Sequence, residues 1–386
     1  MPNDLHTGFD ETQYPHINKG LDGIVAFSTT KSFIDGRNGD LIYAGYNIDT
    51  LAKHSTFEEV CYLLWNDKMP NKEELDDLSH KLQNRRELPP VVVSYLNNVD
   101  RESKPMSVLR TATSMLSETD IHLPDDSYYE KAINITAKLP TIIAAFSRIR
   151  DGKEMIQPKK TGSTAYNFLY MLNGTEPGVH AVKTLDLCLI LHAEHGMNAS
   201  TFTCRTVAGT LSDLYSAVTA AIGTLKGPLH GGANTAVMKT LLELEAQGEK
   251  ADAIAFTKDK LAKKEKIMGF GHRVYKTFDP RARHLQGMAK SLSVETGHEE
   301  LYTWSMDMLN TMKNEKNIDP NVDFFSATVY YSMGIQPDLY TCIFTMSRIS
   351  GWTGHYMEQA NNNRLVRPRA LYVGAKNLDW VPVEDR

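Results

Sequence analysis

Cysteine is scarce and scattered: four residues, Cys61, Cys188, Cys204 and Cys342, in a chain of 386, with no CxxC pair. That spacing argues against a zinc ribbon or a disulfide-stapled scaffold, and predicts reduced, mostly buried thiols in a cytoplasmic protein. Long hydrophobic runs are missing too. One of the longer apolar stretches without a formal charge, Leu214–Leu225, lies between Asp213 and Lys226 and falls short of the ~18–20 residues that span a bilayer. The first residues, Met-Pro-Asn-Asp-Leu-His, carry neither a basic segment nor an apolar core, so no signal peptide is expected. Positive charge is not in excess: 42 Lys and Arg against 47 Asp and Glu leave −5, which argues against a general nucleic-acid or membrane-surface role. Low-complexity segments and solenoid-period repeats are absent from the sequence. The expectation is a soluble protein, long enough for two domains because single cores rarely outgrow ~250–300 residues.

What is present is helical periodicity. Apolar residues recur at i, i+3, i+4 over 57–65, 72–86, 128–148, 184–195, 202–225, 235–247, 251–264, 281–295, 299–313 and 339–359. Strand signals are confined to 24–28, 32–34 and 41–43, punctuated by Asp35-Gly36 and Asn38-Gly39, which suit tight turns. An all-α protein with a small N-terminal β decoration is expected. The segment 202–225, apolar nearly all round, reads as one buried helix ending at Lys226-Gly227-Pro228. Between Lys258 and Lys290 ten Lys and Arg face three acids, Asp259, Glu265 and Asp279. That run is either a solvated helix face or a landing site for a polyanion.

Several polar residues sit in unusual settings. His192 and His195, three apart on one expected helix, share a face. They are structural histidines or ligands for an anion or carbonyl, and no third metal ligand follows at a recognisable spacing. His230 closes an apolar helix before Gly231-Gly232, where a ligand can approach the backbone. His272 is bracketed by Gly269, Gly271 and Arg273, in a loop whose amides suit a phosphate or a flat base. Asp323 precedes Phe324-Phe325, either as a helix N-cap or as a carboxylate made more basic by apolar neighbours. Arg348 lies in an apolar helix and needs an internal acid such as Glu358 or a substrate carboxylate. Arg364, Arg367 and Arg369 flank Pro368 near the C-terminus as a basic tail.

Taken in order, these segments resemble the citrate synthase family. The resemblance rests on His192-Ala-Glu-His195-Gly-Met-Asn198, Gly227-Pro-Leu-His230-Gly-Gly, Met268-Gly-Phe-Gly-His272-Arg-Val-Tyr-Lys276-Thr-Phe-Asp-Pro-Arg281, Asn321-Val-Asp323, Ser347-Arg348-Ile-Ser-Gly-Trp352 and Arg367-Pro-Arg369. It spans nearly the whole chain and is nearest to the short form of Gram-positive bacteria and archaea. It implies a helical homodimer, with a large domain of 1–225 plus 331–386 and a small domain of 226–330 that closes over the substrates. The implied reaction condenses acetyl-CoA with oxaloacetate and hydrolyses citryl-CoA, the entry step of the tricarboxylic acid cycle. It uses no cofactor and no metal.

The resemblance also implies roles. Asp323 takes the acetyl proton, His230 holds the thioester oxygen and His272 protonates the oxaloacetate carbonyl. His195, Arg281 and Arg348 bind oxaloacetate, joined by Arg367 from the partner subunit. Lys266, Ile267, Met268, Gly269, Phe270 and Lys276 contact CoA. This division makes chemical sense, since a thioester methyl is a weak acid that needs an oxyanion donor opposite the base. Guanidiniums also match a dicarboxylate better than lysines do. Two alternatives stay open: 2-methylcitrate synthase, which takes propionyl-CoA with the same residues, and a non-catalytic CoA- or citrate-binding regulator. The first differs by one methylene, worth only ~1–3 kcal/mol.

Overall fold

The structure, a computed structural model, describes residues 17–386 except 22, 121, 122, 125 and 373. The chain divides into two units: residues 29–364, and a smaller unit combining the described residues before 29 with 365–386. The smaller unit contains two short 3-10 turns, Lys19–Leu21 and Val383–Asp385. It leaves Val25, Leu378 and Trp380 largely exposed.

The larger unit opens with three antiparallel strands, β1 (Ser32–Asp35), β2 (Asp40–Tyr43) and β3 (Tyr46–Asn47), in the order β1-β2-β3. Ser32 faces Tyr43 and Asp35 faces Asp40 across the first pair. The tight turn at Gly36–Gly39 is held by Asp35, whose side chain accepts from the Arg37 and Asn38 amides. The segment 24–28 forms no strand.

Helices follow: α1 (Ile48–His54), α2 (Phe57–Asn66), α3 (Lys72–Asn84), α4 (Pro90–Asn98), α5 (Pro105–Met115), α6 (Tyr128–Arg150), α7 (Thr164–Asn173) and α8 (Val179–His192). Then come α9 (Ala199–Ala208), α10 (Leu214–Leu225), α11 (Ala233–Glu245), α12 (Ala253–Ala262), α13 (Pro280–Thr296), α14 (Glu299–Lys316), α15 (Val322–Ser332) and α16 (Tyr340–Asn361). Their starts follow local chemistry. Thr56 and Glu59 form a capping box on α2, Asn71 and Glu74 another on α3, and proline opens α4, α5 and α13 at the first turn.

Two expectations are corrected. The stretch 202–225 is broken into α9 and α10, because Leu211 adopts φ 65° and Asp213 caps a new helix by accepting from the Ser216 amide. The helix carrying His192 ends at that residue, so His195 lies beyond it in irregular backbone rather than on a shared helical face.

The core is built on α6 and α16, each buried along almost its whole length. Such helices are apolar all round because they are enclosed on all sides. Gly351 lets α16 come close to the bend after α8: a Cβ there would meet the Ala193 carbonyl oxygen at 2.5 Å. That approach brings Arg348 beside the 192–195 segment.

Candidate active site

The site gathers around two guanidiniums. Arg281, in the first turn of α13, is 3% exposed, and Asp279, the N-cap of that helix, is 1% exposed. The Asp279 carboxylate accepts from Arg281 Nε at 3.0 Å and Nη2 at 2.8 Å, and also from the Val322 amide at 3.1 Å. Burial would raise this carboxyl, but Arg281 holds it below the usual carboxylate range. Arg348 is 1% exposed on α16. Its Nε donates to the His192 carbonyl at 2.8 Å, and its guanidinium lies 4.7 Å from the Phe344 ring centre. Glu358, the internal acid expected for it, pairs with Arg205 instead. No protein hydrogen bond among the described residues takes the terminal nitrogens of Arg348, so they remain available to an anion.

Four imidazoles surround these cations, and all are held neutral. His192 is pushed down to about 3 by burial and then by Arg281. His195 lies well below its ordinary value, by burial and then by Arg281. His230 falls to about 4 by burial and then Arg348, and His272 to about 4 by burial and then Arg281. The rings of His195 and His272 are 5.1 Å apart, and Tyr275 packs against both. Tyr275 Oη lies 3.2 Å from His195 Nε2.

Local geometry fixes two tautomers. His272 Nδ1 accepts from the Val274 and Tyr275 amides at 3.0 and 3.1 Å, which leaves the proton on Nε2 as a donor. His230 Nε2 accepts from the Ser200 amide at 3.3 Å and lies 2.8 Å from Ser200 Oγ, which leaves the proton on Nδ1. Ser200 Oγ is itself held by Trp352 Nε1–H at 3.1 Å.

Asp323 supplies the remaining charge. Asn321, not Asp323, caps α15, accepting from the Asp323 amide at 3.0 Å. The Asp323 carboxylate is therefore uncommitted, with no hydrogen-bond partner among the described residues. Burial raises it to about 6, with Arg281 and Arg348 pulling back. A carboxylate of that basicity, neutral imidazole donors and two guanidiniums can remove a proton from carbon while neutral donors hold the developing oxyanion.

The glycine-rich loop is laced to the start of α15. The Asn321 amide donates to Gly269 O and its side chain to Gly271 O, both at 2.9 Å, and the Phe270 and Phe324 rings lie 4.5 Å apart. Among the residues expected at CoA, Ile267 is buried, Met268 is half-buried and Lys266 is exposed. Lys276 Nζ reaches the Arg273 carbonyl at 3.3 Å. Arg367 belongs to the smaller unit and is exposed.

Asp279, Tyr275, Ser200 and Trp352 were not singled out by residue type, although each lies within or beside a motif that was. An Asp-Pro pair opening a helix two residues before Arg281 was the one readable sign, for Asp279.

The chain is similar to known proteins over nearly its whole length. The family model for the citrate synthase C-terminal domain matches residues 20–369. Citrate synthase 2 of Bacillus subtilis is 49% identical over 95% of this chain and 99% of its own length. A 2-methylcitrate synthase of Shewanella oneidensis is 39% identical over 95% of this chain and 97% of its own. Among solved structures, the ternary complex of Thermoplasma acidophilum citrate synthase with carboxymethyl coenzyme A and oxaloacetate superposes with a TM-score of 0.89. It is 32% identical and covers 96% of this chain and 100% of that one.

Proposed function

The chain belongs to the citrate synthase family, and on that premise we propose that Asp323, His230 and His272 are its catalytic residues. The enzyme is an acyltransferase that condenses acetyl-CoA with oxaloacetate and hydrolyses citryl-CoA to citrate and CoA; no cofactor takes part. Asp323 removes a methyl proton from the acyl thioester. His230, with its proton on Nδ1, donates to the thioester oxygen as charge builds there. His272 donates from Nε2 to the oxaloacetate carbonyl as the carbon–carbon bond forms. His195, Arg281 and Arg348 hold the oxaloacetate carboxylates. The observation that carries this reading is the Asp323 carboxylate, half-buried, without a hydrogen-bond partner among the described residues and raised to about 6 near Arg281 and Arg348, in a site whose imidazoles are neutral.

Residues 266–270 and Lys276 are proposed to meet CoA. Residues 226–330 form the domain that closes over the substrates. The protein works as a cytoplasmic homodimer in which Arg367 of one chain completes the oxaloacetate site of the other. Its four free, buried cysteines suit that compartment. Val25, Leu378 and Trp380, exposed in the single chain, suit burial against a second copy. No helix among the described residues is long and apolar enough to cross a membrane.

The test is release of free thiol from acetyl-CoA and from propionyl-CoA, each with and without oxaloacetate. Oxaloacetate-dependent release is expected, and its absence with both thioesters sinks the assignment. The ratio of the two rates places the enzyme between citrate and 2-methylcitrate synthesis.

A further inference from the structure

The β1–β2 hairpin plays no part in the chemistry above, yet its turn touches the loop that carries His272. Gly36 O accepts from the Lys276 amide at 2.7 Å. A Cβ added at Gly36 would lie 2.8 Å from the Val274 carbonyl carbon and closer still to its oxygen. That is backbone, which cannot rotate away as a side chain could. On the other side of the turn, Gly39 adopts φ 74°, and a Cβ there would meet Thr277 Cγ2 at 3.0 Å and Phe278 O at 3.1 Å. The two glycines therefore face residues 274–278 backbone to backbone. A second tie lies nearby, where His284 of α13 meets Asp49 of α1 at 2.6 Å.

What this contact fixes is the catalytic loop. Val274 and Tyr275 are the residues whose amides set the His272 tautomer, and the Tyr275 hydroxyl touches His195. Val274 is 40% exposed and Lys276 is exposed, so little else packs this stretch from outside. We propose that the hairpin turn is the seat of the catalytic loop and that Gly36 is a positioning residue: its bare backbone lets 274–276 dock, which orients the His272 Nε2–H and the Tyr275 hydroxyl toward the substrate. This rests on the role given to His272 above.

The test is Gly36→Ala, with Arg37→Ala, exposed in the same turn, as the control. Kinetics are measured together with hydrogen–deuterium exchange of the intact protein, well below the unfolding temperature. The expected result for Gly36→Ala is kcat lowered at least tenfold with faster exchange over 272–278, and wild-type behaviour for Arg37→Ala. A purely structural glycine would lower the unfolding temperature and loosen 32–43, leaving kcat and 272–278 unchanged; that outcome overturns the proposal. So does lowered kcat with unaltered exchange over 272–278. Should Gly36→Ala fail to fold, Gly39→Asn carries the test, since Asn tolerates positive φ and still puts a Cβ against Thr277. His272→Ala separates the two claims. Wild-type turnover in that variant refutes the role of His272, whereas the exchange comparison still reports on the seat.

Discussion

Asp279 grips Arg281 through two hydrogen bonds, at 3.0 and 2.8 Å, and with the same carboxylate takes the Val322 amide at 3.1 Å. One buried acid thus orients a guanidinium proposed to bind oxaloacetate and pins the helix start that presents Asp323. Removing one partner of a buried ion pair strands the other charge, at a cost of about 3–5 kcal/mol. Asp279→Ala is therefore expected to lower the unfolding free energy, read from urea titration, by an amount in that range and to raise the oxaloacetate KM more than tenfold. Asp279→Asn, which keeps an acceptor, should lose less on both counts. An Asp279→Ala protein with wild-type oxaloacetate KM would show that Arg281 does not depend on it.

Asp323→Asn should nearly abolish condensation while leaving oxaloacetate binding largely intact, because Asn has almost the same shape but cannot take the proton. The same substitution should stabilise the fold at neutral pH. The carboxyl has its folded value raised from 3.8 to about 6, so the folded state binds more protons than the unfolded. Its contribution to stability is full below about pH 4 and lost as pH rises through about 6. The variant should thus unfold at a higher temperature than wild type at pH 7–8, with the gap closing toward pH 4. A variant less stable than wild type at pH 8 would contradict the burial argument.

Turnover should carry the same signature. The imidazoles of His230 and His272 are neutral down to about pH 4, so Asp323 is the group that titrates first as the site is acidified. For acetyl-CoA, kcat/KM should fall about tenfold per pH unit below about 6 and be flat just above it. An acid limb near 4 would mean that Asp323 is not the base.

Burial sets these titrations, and burial is where the sequence is least explicit. The motifs holding His195, His230, His272, Asp323, Arg281 and Arg348 could be read directly, because charged and imidazole side chains stand out in apolar or glycine-rich settings. Long periodic helices such as α6 and α16 could be read too. Some shorter helices could not: α4 and α5 begin at prolines after irregular segments, which hide their starts. The break between α9 and α10 hides in an apolar run where only Gly209 and Asp213 mark it. Partners distant in sequence, such as Ser200 with His230 or Gly36 with Lys276, are created by packing and leave no local pattern.

His230→Ala should reduce kcat by roughly 10²–10³, the usual cost of losing an oxyanion donor. Ser200→Ala removes the hydroxyl that links His230 Nε2 to Trp352 Nε1, so it should lower kcat by about tenfold, less than loss of the imidazole itself. Steady-state kinetics with both substrates varied decides it. A large rise in oxaloacetate KM with kcat unchanged in His230→Ala would place this imidazole on the wrong substrate.

The shared site can be tested by mixing two inactive chains. Arg367→Ala lacks the guanidinium proposed to cross the dimer, and Asp323→Asn lacks the proposed base. If Arg367 acts in trans, a heterodimer has one site carrying both lesions and one carrying neither. Subunit exchange should then restore activity, up to about half that of a wild-type dimer for each heterodimer, since one of its two sites is whole. If Arg367 serves its own chain, every site keeps one lesion and exchange restores nothing. Heterodimers are verified by mass, using a tag on one chain, and activity is read as free thiol. Proven heterodimers without recovered turnover rule out the crossed arginine and leave the oxaloacetate site to Arg281, Arg348 and His195 of a single chain.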